Sequence, residues 1–288
     1  HTPGKHRAIV LLGGSGPQTR WGTLRFLADR FGRAGIVALI YDKRGSGRSG
    51  GNLDSFTYQD LAGDALSGVR FLALQPEVDR HQIGLLGHSE GGIVAVIAAT
   101  LAPRKVAFIV AEDSPAGPVY ESDLYRVSNA IRHAGFPPDA LAPDMRVYKN
   151  LVDVARGLKP YSELEVDRSK YGNTKWFKWL GIPSRDAAIW AMAPQRENLD
   201  TLVYWRQINV PVLLIYGEKD EINPADKSIQ RIEEALYGRV PLTAVIAPGA
   251  QHNLTIQPEP GAPFFWWKAA SGIVDLAVNW VARCDPAP

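Results

Sequence analysis

The sequence has a single cysteine, Cys284, in 288 residues. One thiol closes no internal disulfide and finds no second thiol for a metal site, so a disulfide scaffold and a thiolate metal centre are both excluded. The count favours neither a reducing nor an oxidising compartment. A surplus of charge of one sign is also missing, because 32 Lys and Arg against 30 Asp and Glu leave a net +2. Without a basic cluster there is no electrostatic case for nucleic acid or for an anionic membrane surface. Long hydrophobic runs are absent too: stretches such as 106–111 fall well short of the roughly 18 residues that a spanning helix needs. There is no internal repeat and no low-complexity tract, and 45% hydrophobic with 22% charged residues is the composition of an ordinary globular protein. The chain opens on His1 rather than methionine, which gives the expectation of a processed or trimmed start and a leading segment before it.

What the chain does have is a series of short apolar runs, each followed by a glycine-rich or charged loop. Residues 8–12 run into Gly13-Gly14-Ser15-Gly16-Pro17, and 36–41 run into Asp42-Lys43-Arg44-Gly45-Ser46-Gly47-Arg48-Ser49. Residues 82–86, 106–111, 211–216 and 242–246 read as further strands. Such runs are apolar throughout rather than alternating, as in strands buried on both faces. Between them lie helical patterns: Trp21, Leu24, Phe26, Leu27 and Phe31; then 57–74 with Tyr58, Leu61, Ala65, Val69 and Leu72 inward; then 225–236 and 271–281. Alternating strands and helices predict a mostly parallel sheet with helices on both faces. Residues 114–209 break the alternation with helical patterns of their own and read as an inserted helical cap on a core of 1–113 and 210–288. Its aromatics, Tyr161, Tyr171, Trp176, Phe177, Trp179, Trp190, Tyr204 and Trp205, are expected mostly to pack that layer rather than to line a pocket. Phe264-Phe265-Trp266-Trp267 are expected to anchor the final helix.

The strand ending at Leu86 leads into Gly87-His88-Ser89-Glu90-Gly91, and the apolar helix 93–100 follows. A serine between glycines is on its own an ordinary turn. Strand, sharp turn and helix in succession form the context of a nucleophile elbow, in which the residues two places either side of the serine must lack side chains. Serine is a poor nucleophile until a base takes its proton and a third group holds that base. Of six histidines, His252 lies in a loop just after the last predicted strand, and chemistry in such sheets gathers at the strands' C-terminal ends. His88 adjoins the serine and reads as structural. For the acid, Asp220 follows strand 211–216, with Glu218 on the same loop and Glu112-Asp113 at the end of 106–111 as rivals. The expected donors to a tetrahedral oxyanion are the backbone N–H groups of Glu90 and Ser15. A phosphate-binding reading of the loop at 13–16 lacks the required lysine and hydroxyl residue.

Five motifs, Gly-Gly-Ser-Gly-Pro-Gln at 13–18, Asp-Lys-Arg-Gly-Ser-Gly-Arg-Ser at 42–49, Gly-His-Ser-Glu-Gly at 87–91, Gly-Glu-Lys-Asp at 217–220 and Gln-His-Asn at 251–253, together resemble the α/β-hydrolase superfamily. More narrowly they resemble bacterial serine esterases whose oxyanion loop reads GSGPQ. The resemblance implies the α/β-hydrolase fold, Ser89 as nucleophile, Asp220 as acid, His252 as base, and the Ser15 and Glu90 amides as the oxyanion hole. It departs from the pattern at Gly13, where relatives usually carry histidine, and in lacking one or two leading antiparallel strands. Without those strands, the strand at 36–41 is expected at a sheet edge. The expected activity is cleavage of a small-molecule carboxylic ester through an acyl-enzyme. No metal or organic cofactor is implied, and nucleic acid is not an expected partner. A peptidase, a thioesterase or an acyltransferase on the same residues is the alternative, and a non-catalytic small-molecule-binding protein is a more distant one. The serine argues against the dehalogenases and epoxide hydrolases of this fold, which use aspartate, and against dienelactone hydrolases, which use cysteine.

Overall fold

Strand β1 (His6–Leu12) shows how the sequence builds the sheet. Its alternate residues Ala8, Val10 and Leu12 enter one apolar cluster and Ile9 and Leu11 enter another, so the strand is buried on both faces. The computed structural model describes residues 5–53, 55–257 and 268–284. Following β1 come α1 (Thr23–Arg33), β2 (Val37–Leu39), α2 (Tyr58–Ala73), β3 (Val78–His88), α3 (Glu90–Leu101) and β4 (Ile109–Glu112). Six α-helices then intervene: α4 (Val119–His133), α5 (Leu141–Ala155), α6 (Ser162–Tyr171), α7 (Lys175–Trp179), α8 (Ala193–Glu197) and α9 (Leu202–Trp205). The chain resumes with β5 (Val212–Gly217), α10 (Ala225–Leu236), β6 (Leu242–Ala247), the small hairpin of β7 (Thr255–Ile256) and β8 (Lys268–Ala269), and α11 (Ile273–Arg283).

The main sheet has the order β2-β1-β3-β4-β5-β6, and its ladders among the described residues are all parallel. The core of α2, α3, α9 and α10 covers one face, while α1 and α11 cover the other. This is the mostly parallel sheet with helices on both faces expected from the alternation of apolar runs. Helix α3 has no polar stripe because it has no wet side: every residue from Glu90 to Ala99 is buried. Helix α2 starts at a capping box, in which the Thr57 hydroxyl accepts the Asp60 N–H and the Asp60 carboxylate accepts the Thr57 N–H. Among the described residues β2 lies at one edge of the sheet, and it is three residues long.

The differences from the sequence expectations are local. β4 begins three residues later than the apolar run and extends through Glu112, a shift with consequences for the site. In α1 the inner stripe is Leu24, Leu27 and Phe31, whereas Trp21 and Phe26 are 59% and 51% exposed. The insertion has its own small clusters, one on Val127, Ile131, Tyr148 and Val152, another on Val147, Trp176 and Phe177. Trp205, fully buried, belongs instead to the main core, so α9 ties the insertion to the sheet. Phe264 to Trp267 lie outside the described residues. Among the described residues no helix is long and apolar enough to cross a membrane.

Candidate active site

Ser89 sits between β3 and α3 with φ 53° and ψ −119°, backbone that side chains disfavour and that a sharp strand-to-helix turn imposes. The turn is possible because its flanks are bare. A Cβ on Gly87 would fall inside contact with the Gly91 carbonyl, and one on Gly91 would strike the Leu12 carbonyl of β1. The Ser89 N–H donates to Glu112 O at 2.7 Å, which is what the extension of β4 accomplishes. The helix N-terminus begins immediately, leaving the Glu90 N–H without an intrahelical acceptor.

Two loops at the C-terminal ends of β5 and β6 meet this turn. His252 Nε2 lies 3.0 Å from Ser89 Oγ, and its Nδ1 lies 2.9 Å from Asp220 Oδ2. Asp220 is 4% exposed. Its other oxygen accepts the N–H groups of Ile222 at 2.7 Å and Asn223 at 3.0 Å. Helix α4 braces the same loop, since Asn129 Nδ2 donates to Glu221 O at 2.9 Å and the Tyr125 hydroxyl lies 3.4 Å from Asp220 O. The structure therefore brings Ser89, Asp220 and His252 into one chain of contacts. Ser15 and Glu90 join them at the edge of the same cavity, and Gly14 packs so close that a Cβ there would lie 3.4 Å from Ser89 Cβ.

The rival acids occupy other positions. Glu218 accepts the Gly249 N–H at 2.7 Å, holding the loop that carries His252 rather than the ring. Glu112 lines the cavity from the end of β4, and burial pushes its carboxyl up to about 7. Asp113 is fully buried beside Asp220, and burial and the Asp220 charge push its carboxyl up to about 9. Asp113 Oδ1 accepts the Gly217 N–H at 2.8 Å. Among the described residues Asp113, Asp220 and His252 could offer three ligand atoms to a cation, but the Asp220 and His252 atoms already bond each other. His88 lies tilted against His252, with ring centroids 5.1 Å apart, and burial pushes its pKa down to about 4, which keeps it neutral beside His252.

The cavity over Ser89 encloses about 1100 Å³. Its apolar wall is built from Trp21, Phe26, Leu27, Phe56 and Tyr58, none of them among the insertion's aromatics. The insertion contributes a polar wall of Asp123, Arg126, Arg196 and Glu197. Asp123 and Arg126 pair at 2.9 Å, and the Arg196 guanidinium stands 4.2 Å over Phe56 while donating to the Leu53 and Phe56 carbonyls. Burial, then the Asp123 charge, pushes Glu197 up to about 7. The sequence groups Trp21 and Phe26 with Leu24, Leu27 and Phe31 in one helical pattern. The available signal was Phe26, which is off the stripe of Leu24, Leu27 and Phe31; Trp21 keeps the spacing but precedes the first residue of α1.

Among known proteins, the chain is 27% identical to a thiohydrolase of Eupenicillium brefeldianum over 255 residues, covering 78% of this chain and 73% of that one. The solved structure of DcsB in complex with its substrate analogue superposes with a TM-score of 0.62 at 18% identity, covering 97% of this chain and 90% of that one. A Pyrococcus furiosus esterase superposes with a TM-score of 0.52 at 21% identity, covering 85% of this chain and 74% of that one. Over residues 4–259 the sequence matches the family described as serine aminopeptidase, S33. With that match and the sheet described above, the chain belongs to this family of α/β hydrolases and is a hydrolase.

Proposed function

We propose that the protein is a serine hydrolase that cleaves carboxylic esters through an acyl-enzyme. Ser89 is the nucleophile, His252 the base, Asp220 the acid that orients it, and the N–H groups of Ser15 and Glu90 the oxyanion donors. The observation that carries this reading is the unbroken series Ser89 Oγ, His252 Nε2, His252 Nδ1 and Asp220 Oδ2, with separations of 3.0 and 2.9 Å. In this mechanism His252 takes the Ser89 proton as Oγ adds to the carbonyl, and the carbonyl oxygen becomes an oxyanion held by the two amides. The imidazolium then protonates the departing alcohol. Water, deprotonated by the same ring, releases the acid and restores Ser89.

Residues 114–209 act as the cap: α4 and α8 supply the polar wall of the cavity, and the core supplies the apolar one. The GSGPQ-type loop at 14–18 serves as the oxyanion loop of a bacterial esterase. Thioester cleavage is the second reading, favoured by the thiohydrolase relative, and peptide cleavage is suggested by the family's description. Hydrolysis of a panel of p-nitrophenyl esters from acetate to long chains, beside an acyl thioester and a peptide anilide, separates the three. Ester turnover that disappears in Ser89→Ala supports the reading. Turnover confined to the thioester or the anilide replaces it, and a wild type that neither turns over nor reacts with a serine-directed phosphonate overturns it.

A further inference from the structure

The loop after β2 contains the motif Asp42-Lys43-Arg44-Gly45, and the mechanism above uses none of it. Lys43 is 7% exposed, an uncommon setting for an ammonium. Its Nζ is ion-paired with Glu90 Oε1, donates to Gly14 O at 3.1 Å and lies 3.4 Å from Gly16 O. Three acceptors match the three N–H bonds of an ammonium. Glu90 is 8% exposed, and its other oxygen lies 3.5 Å from the Ser15 hydroxyl. The loop that carries Lys43 is itself pinned. Asp42 accepts the Arg20 and Arg48 N–H groups at 2.9 Å each, the Lys43 N–H donates to Gln18 O at 2.9 Å, and Gln18 Nε2 donates to Ser15 O at 3.1 Å.

Gly14 C=O and Ser15 N–H are the two ends of one planar trans peptide, so they point in opposite directions. A cation that captures the Gly14 oxygen thereby aims the Ser15 N–H away from itself. By withdrawing electron density from the carbonyl, it also makes that N–H a stronger donor. The same ammonium neutralises the Glu90 carboxylate, which sits one residue after the nucleophile and would otherwise oppose an oxyanion forming nearby. Stability is a weak reason to keep such a pair, because buried ion pairs are often replaceable by apolar residues at little cost.

The geometry points to Lys43 as a positioning residue for the oxyanion hole, acting through Gly14 O on one donor and through Glu90 on the surroundings of the other. This inference rests on Ser89 being the nucleophile. The test compares wild type, Lys43→Met, Lys43→Gln and Lys43→Arg by the rate of Ser89 phosphonylation with a fluorophosphonate, by kcat and KM on a p-nitrophenyl ester, and by inhibition with a trifluoromethyl ketone. Lys43→Met is expected to lower kcat and phosphonylation by about 10- to 100-fold, up to the loss seen when one oxyanion donor is removed. KM should stay within about twofold, and the ketone should weaken by the same factor as kcat. Lys43→Arg should recover most of the loss.

Lys43→Met within threefold of wild type in kcat and in phosphonylation would overturn the proposal. So would a loss that appears in KM while ketone affinity is unchanged. Should Lys43→Met fail to fold, Lys43→Gln decides: slowed phosphonylation that Lys43→Arg does not share supports the role, and a wild-type rate in Lys43→Gln removes it. A wild type that does not react with the probe sinks the Ser89 reading and this one together, whereas a reactive wild type with an equally reactive Lys43→Met sinks only this one.

Discussion

Asp113 and Asp220 set their carboxyl groups side by side at the ends of β4 and β5, with an oxygen of each and a His252 nitrogen all within 4.8 Å of one another. Two buried carboxylates at that separation do not both ionise. Asp220 accepts two backbone N–H groups and faces the histidine. Asp113, with one N–H on Oδ1 and none on Oδ2, keeps the proton. Because the folded pKa of Asp113, about 9, exceeds its ordinary 3.8, the native state binds one proton more than the unfolded state between those values. That contribution to stability is complete below about pH 4 and is lost as pH rises toward 9, at up to about 1.4 kcal/mol per pH unit. Asp113→Asn, an uncharged mimic of the protonated acid, should flatten this slope, so its Tm should gain on wild type as pH goes from 5 to 9. Turnover should persist within a few-fold in Asp113→Asn and fall by roughly 10⁴-fold in Asp220→Asn. Thermal scans across pH, with ester assays at pH 7, check both.

The cavity carries two carboxyls poised near neutrality, Glu112 and Glu197, each raised to about 7 by burial. Below that pH they are neutral, and above it the wall of the cavity becomes anionic. For an uncharged acyl chain KM should therefore rise between pH 6.5 and about 8.5. Glu197→Gln should remove part of the rise, and the double variant with Glu112→Gln should make KM flat, as read from KM–pH profiles.

The backbone of Ser89, with positive φ, stores strain of about 1–3 kcal/mol that glycine does not incur. Ser89→Gly should be inert toward a phosphonate probe yet more stable than wild type by about 1 kcal/mol, after allowing for the extra freedom of glycine in the unfolded chain. Ser89→Ala, which keeps the Cβ, should gain nothing. Paired thermal denaturation of the two variants distinguishes them.

Adding one methyl group at Gly87 should do the opposite. Its Cβ would meet backbone at Gly91 rather than a yielding side chain, so Gly87→Ala should lose about 2–4 kcal/mol. Gly63, a helical position with nothing within 4 Å of an added Cβ, is the control: Gly63→Ala should gain about 1 kcal/mol. The urea midpoints of the two variants should move in opposite directions.

The order and spacing of the apolar runs carried the sheet, because strands buried on both faces leave a continuous hydrophobic trace. The elbow was equally legible, since Gly87 and Gly91 are required by contacts that any such turn makes. The choice of Asp220 over Glu218 and Asp113 was harder: all three lie near strand ends, and only the hydrogen bonds around each carboxyl tell them apart. The cavity wall was the least legible part. Trp21, Phe26, Arg196 and Glu197 are far apart in sequence, and which of them meet depends on how the insertion settles on the core.

The sheet joins β4 to β5 across a stretch of chain from Glu112 to Val212. A chain emerging from the ribosome therefore presents Ser89 before Asp220 and His252 exist to contact it. These two neighbouring strands must wait for one another, a pairing of high contact order that slows folding. Until β5 docks, the nascent protein carries an unpaired hydrophobic strand edge, the period in which a chaperone would have most to shield. The contacts that join Ser89, His252 and Asp220 thus form only with the event that pairs β4 with β5.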